Sequence, residues 1–150
     1  MRFLVLCAVA ATALVSAQLA SADAVYHSEH MELTPVAGAQ LRSGFVENIH
    51  ADGPKVYARE RYVLNGASPN AAYEVRLLVH LFDDTCSNAP VLFAATQLAT
   101  NGAGNGSAQL VIRPEDVPAA ARNATHGVHW EVWRGGTLAY RTACTSVELD

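Results

Sequence analysis

The 150-residue chain is almost without lysine: Lys55 is the single one, and no cluster of arginines takes its place. Proteins that grip phosphate backbones or anionic bilayers need concentrated positive charge. Here 10 basic residues face 14 acidic ones, which excludes nucleic acid and acidic membrane surfaces as partners. Past residue 15 there is no apolar run approaching the roughly 20 residues that span a bilayer, so no transmembrane anchor is expected. A Gly-x-Ser-x-Gly elbow is missing, as is any glycine loop leading from a strand into a helix. There is no internal repeat, linker or low-complexity tail. Cysteine is scarce too, with three residues, at 7, 86 and 144.

What is present begins at the amino terminus. Arg2 precedes a nearly unbroken apolar stretch from Phe3 to Val15, and small residues follow. The overlapping Ala20-Ser21-Ala22 and Ala22-Asp23-Ala24 are cleavage sites of the Ala-x-Ala kind. This pattern predicts a secretory signal peptide over 1–22, with cleavage after Ala24 as the alternative, and a single domain over 23–150. The mature protein is expected outside the cytoplasm, extracellular or periplasmic. Loss of Arg2 leaves 9 basic against 14 acidic residues, 9 − 14 = −5. Cys7 leaves with the signal, so Cys86 and Cys144 form an even pair in an oxidising compartment and are expected to be bridged. A loop of about 58 residues closed in this way stabilises by about 4 kcal/mol on loop-closure entropy.

The mature sequence alternates with a period of two. Tyr73, Val75, Leu77, Val79 and Leu81 share one face of a strand, while Glu74, Arg76, Leu78 and His80 share the other. Val128, Trp130 and Val132 alternate with His129, Glu131 and Trp133. Such strands have one face in a core and one in water. The expected core is Tyr73, Val75, Leu77, Val79, Leu81, Leu110, Ile112, Val128, Trp130, Val132 and Leu138, with Glu74, Arg76, Glu131 and Arg141 on wet faces. Turn residues separate the strands at Asn65–Asn70, Asn101–Gly106 and Arg134–Gly136. One stretch, Pro114–Arg122, is suited to a short helix of one or two turns. Seven or eight short strands at this spacing predict an all-β, two-sheet sandwich with Greek-key connections.

Candidate chemistry rests on six histidines, at 27, 30, 50, 80, 126 and 129. His126 and His129 have His-x-x-His spacing, but on a strand that places them on opposite faces. No catalytic constellation emerges: both mature cysteines are committed, Asp83-Asp84 suit a solvated turn, and Glu115-Asp116 suit a helix start. Cleavage after Ala24 would create Val25-Tyr26-His27 at the new amino terminus. Its amine, two amide nitrogens and imidazole form a square-planar set suited to Cu(II) or Ni(II). Asn105 and Asn123 head glycosylation sequons.

The stretch from Leu77 to Pro90 resembles the copper–zinc superoxide dismutase family, in which a His-Val-His strand runs into a loop carrying the bridged cysteine. Arg141-Thr142-Ala143-Cys144 is similar to that family's closing Arg-x-Ala-Cys motif. The resemblance implies an immunoglobulin-like or superoxide dismutase-like sandwich, and it implies metal ligands at matching positions. Leu78 stands where the family has its first strand histidine, and His80 stands at the second. Pro90 is followed by Val91-Leu92-Phe93 rather than by a histidine, and His129 matches a late ligand. Two copper-type donors remain and no zinc set does. The expectation is a relative with no resident cofactor, holding any copper weakly on His80 and His129, and acting as a non-enzymatic binding or structural module whose partner is unknown. The alternative expectation is a copper-handling or redox-related protein with a degenerate site.

Overall fold

The computed structural model describes residues 27–50, 58–122 and 124–149. Its strands are β1 (His27–Glu32), β2 (Thr34–Pro35), β3 (Ser43–His50), β4 (Ala58–Asn65), β5 (Ala72–His80), β6 (Val91–Ala99), β7 (Gly106–Ile112), β8 (Ala124–Arg134), β9 (Thr137–Arg141) and β10 (Thr145–Leu149). They form two antiparallel sheets. One has the order β1-β3-β4-β7; the other has the order β2-β9-β8-β5-β6, with β10 also on β8. The long β8 divides its edge between two strands: β10 pairs along 124–128 and β9 along 131–134. Strands β4 and β7 are neighbours in one sheet, while β5 and β6, which lie between them in sequence, pair in the other. The chain therefore crosses the sandwich as a Greek key does.

Alternation explains why these segments pair as they do. In β8, His126, Val128, Trp130 and Val132 are buried, while His129, Glu131 and Trp133 between them are partly exposed. A one-residue slip would turn every apolar side chain outward, so the register is strongly specified. Tyr73, Val75, Leu77, Val79, Val128, Trp130 and Val132 meet Val46, Tyr62, Leu64 and Ile112 from the facing sheet. On the outer face of β5 and β8, Glu74 binds Arg76 at 2.6 Å, and the guanidinium lies 4.7 Å over the Trp133 ring. These wet-face residues are consequently half-covered by one another, while Arg141 is exposed.

Four expectations need correction. Leu81 lies outside the core, because β5 ends at His80 and Phe82 adopts a left-handed φ of 58° that turns the chain outward. Leu138 is also displaced from the core set. A β-bulge shifts the register so that Trp133 pairs with Leu138 while Val132 pairs with Tyr140. The extra residue, Ala139, is buried with Tyr140 instead. Leu110 is partly buried, as befits edge strand β7. The helix expected near 114–122 is two separate 3₁₀ turns, Pro114–Asp116 and Ala119–Ala121. Pro118 between them cannot donate the hydrogen bond that would join them.

The disulfide links Cys86 to Cys144 with Cα atoms 6.1 Å apart, inside the usual range. It ties the β5–β6 loop to the segment between β9 and β10. Among the described residues, no helix is long and apolar enough to cross a membrane.

Candidate functional site

Two places on the sandwich gather polar chemistry. The first is a shallow depression on the outer face of the six-stranded sheet, lined by His80, His129, Arg141, Pro90 and the disulfide. His80 ends β5, and His129 stands opposite Leu78 in the adjoining β8. The alternation that buries Val79 and Val128 turns both imidazoles to this one face. Their facing nitrogens, His80 Nε2 and His129 Nδ1, are 3.2 Å apart.

The loop after β5 holds His80 in place. Its Nδ1–H donates to the Asn88 carbonyl at 2.7 Å, which leaves the Nε2 lone pair turned toward His129. The loop itself is organised by Asp83. One carboxylate oxygen accepts from the amide and hydroxyl of Thr85; the other accepts from the amide and hydroxyl of Ser87 and from the Asn88 amide. Donation by the Thr85 hydroxyl, then by the Asn88 amide and the Ser87 hydroxyl, holds the Asp83 carboxyl well below the usual range. Asp83 is thus the clamp of this loop rather than a freely solvated turn residue. The loop lies so close to β8 that a Cβ on Gly127 would come 2.5 Å from the Asp83 carbonyl oxygen and 2.8 Å from Cys86 Sγ. Burial holds the His129 imidazole below the ordinary histidine range, against the pull of Glu131, whose carboxylate lies 3.6 Å from Nε2.

Cys86 Sγ and the two facing histidine nitrogens lie within 4.8 Å of one another. The sulfur is bonded to Cys144 and offers no thiolate. Two imidazoles remain, and among the described residues no third and fourth donors complete a durable site. A copper–zinc pair therefore does not fit this donor set. The separation of 3.2 Å does suit one ion held on two nitrogens at about 2.0–2.1 Å each, with an angle of about 100° between them.

The remaining histidines fall elsewhere. His126 is fully buried, with Nε2 donating to the Ala121 carbonyl at 2.8 Å and Nδ1 accepting from the Phe82 amide at 3.0 Å. It is a structural brace on the opposite face from His129. His30 stacks on Phe45 with ring centroids 4.5 Å apart. His27 begins β1 opposite His50; its side chain, with Val25 and Tyr26, lies outside the described residues, as does Asn123.

The second place lies between the sheets, and the sequence reading missed it. Asn48 and Glu60 stand directly opposite one another in β3 and β4, both buried. Glu60 Oε2 accepts hydrogen bonds from the Tyr62 hydroxyl and, across the sandwich, from Trp130 Nε1 at 2.9 Å. Its Oε1 has no hydrogen-bond partner among the described residues. Burial pushes the carboxyl up to about 7, against the two donors that lower it. Glu60 lines a cleft of about 100 Å³, whose walls are otherwise almost wholly apolar and include Leu77, Val79, Ile112 and Trp130. Its exposed lining residues, Leu81, Val91 and Pro118, mark where it meets solvent. Phe82 and Leu92, 64 % and 57 % exposed, extend the apolar surface beside Leu81 and Val91. A signal for Glu60 was available: Ala58, Glu60, Tyr62 and Leu64 share parity along β4, so a charge falls on an apolar face.

Comparison with protein-family models, with curated proteins and with solved structures finds no match to this chain.

Proposed function

We propose that this chain is a secreted, non-enzymatic β-sandwich that binds a small apolar ligand between its sheets. The observation that carries the reading is the apolar cleft of about 100 Å³ with one buried carboxyl on its wall. Well-packed interiors keep few voids larger than a water molecule, and binding sites are concave, mostly apolar and furnished with few polar groups. The disulfide supports an oxidising compartment. The non-enzymatic reading is supported by placement: the imidazole pair lies on the outer side of the six-stranded sheet and the Glu60 carboxyl on its inner side, so the two do not meet as acid and base on one substrate. Xenon, which occupies apolar cavities, is the direct probe. Saturable xenon-induced shifts confined to Val79, Ile112 and Trp130 are expected in nuclear magnetic resonance spectra of the mature protein. Shifts spread evenly over the surface would defeat the reading. Mass spectrometry of the exported chain, expected to begin at Asp23, tests secretion.

A second reading is favoured by the 3.2 Å separation of His80 Nε2 and His129 Nδ1. On it, the outer face holds Cu(II) weakly, with water completing the shell, as expected of a degenerate relative of the copper–zinc superoxide dismutase family. Copper titration of wild type and His80→Ala decides it: binding should disappear in the variant, and unchanged binding would end this reading.

A further inference from the structure

If the cleft is a ligand site, as proposed above, its lining selects what enters it. We propose that the cleft receives a small aliphatic alcohol, or the hydroxyl-bearing end of a longer apolar molecule, with the hydroxyl on Glu60 Oε1 and the carbon body against Leu77, Val79, Ile112 and Trp130. Native proteins rarely leave a buried polar atom unpaired, and a specific exception calls for an explanation. Glu60 is 2 % exposed. Its Oε2 is committed twice, to Tyr62 and to Trp130. These bonds come from its own sheet and from the opposite one, and they fix the orientation of the carboxyl. Oε1 is then the carboxyl oxygen left to serve the cleft. Asn48, the other polar residue on the wall, has interactions of its own, and its Oδ1 is a second buried acceptor there.

The lining selects among polar groups by counting hydrogens. An ammonium brings three N–H groups to one acceptor oxygen and leaves two unpaired against apolar walls. A carboxylate ligand would set like charges together. A hydrocarbon fills the space and leaves Oε1 as it was. A hydroxyl has one hydrogen to give and two lone pairs to receive, so it satisfies Glu60 in either protonation state. With its carboxyl pushed up to about 7 by burial, Glu60 populates both states near neutrality. Size narrows the class further. A cavity of about 150 Å³ holds benzene, so the 100 Å³ here suits a body of about four carbons. A longer chain would leave past Leu81 and Val91, where the lining is exposed.

The test uses the mature protein with its disulfide intact and follows displacement of xenon. Isobutanol is expected to displace xenon, and isobutylamine at the same concentration and neutral pH is not. Glu60→Leu should keep xenon binding but lose isobutanol affinity by about tenfold or more, equivalent to about 1.4 kcal/mol. Glu60→Gln should stay within about threefold of wild type, because its carbonyl can serve Tyr62 and Trp130 while its amide faces the alcohol. Equal isobutanol affinity in wild type and Glu60→Leu, or displacement by the amine rather than the alcohol, would overturn the assignment while the cleft stood as a binding site. Failure of xenon to bind the wild type would remove both. If Glu60→Leu does not fold, the wild-type competition decides between alcohol and amine by itself.

Discussion

Glu60 should make this protein less stable as the pH rises toward neutrality, and Glu60→Gln should abolish the effect. The carboxyl is raised from 4.5 to about 7 by burial. Between those values the folded state keeps a proton that the unfolded state has released. Stability therefore falls as pH increases through this window and levels off above the folded-state value. A gap of about two and a half units at 1.36 kcal/mol each corresponds to about 3 kcal/mol. Urea denaturation of wild type and Glu60→Gln at pH 5 and pH 8, with the disulfide intact, gives the double difference directly. The wild type is expected to lose about 2.5 kcal/mol relative to the variant between these two conditions, the rest of the gap falling below pH 5. His129 contributes with the opposite sign. Its folded value is depressed below 6.5, so its contribution to stability rises with pH up to about 6.5 and levels off above. It is common to both proteins and cancels in the difference. Parallel pH profiles in wild type and variant would show that the carboxyl is solvated in solution, and would refute the account of the cleft wall.

Other expectations concern the loop and its bridge. Reducing the Cys86–Cys144 disulfide, which closes 58 residues, should lower stability by about 4 kcal/mol through loop-closure entropy, read from urea midpoints before and after reduction. Gly127→Ala should cost about 1–3 kcal/mol, since the new methyl meets the Asp83 carbonyl and the Cys86 sulfur; an unchanged melting temperature would contradict the close approach. Asp83→Asn removes one oxygen acceptor from the clamp on Thr85, Ser87 and Asn88. Hydrogen exchange at Ser87 and Asn88 should quicken while exchange in β8 does not change.

The alternation of apolar and polar residues by itself settled much of the sandwich. A strand with one dry face admits a single register, so Tyr73 to Val79 and Val128 to Val132 were assigned inward correctly, and His80 and His129 to a common outer sheet face; but His80, expected in water there, is 4 % exposed because the loop after β5 folds over it. The expected cysteine bridge likewise followed from there being one pair left to join. Other positions depended on partners that a linear pattern does not contain. Leu138 faces outward because of a bulge that exists only in the pairing of β8 with β9. Leu81 lies outside the core because the chain turns at Phe82, where its amide meets His126, 44 residues away. Glu60 is the clearest case. Its parity in β4 pointed inward and its charge pointed outward, and local sequence offers no way to weigh one against the other. Trp130, 70 residues further along and in the opposite sheet, supplies the indole hydrogen bond that helps hold a carboxyl inside, because burying such a group costs several kcal/mol unless a donor meets it there.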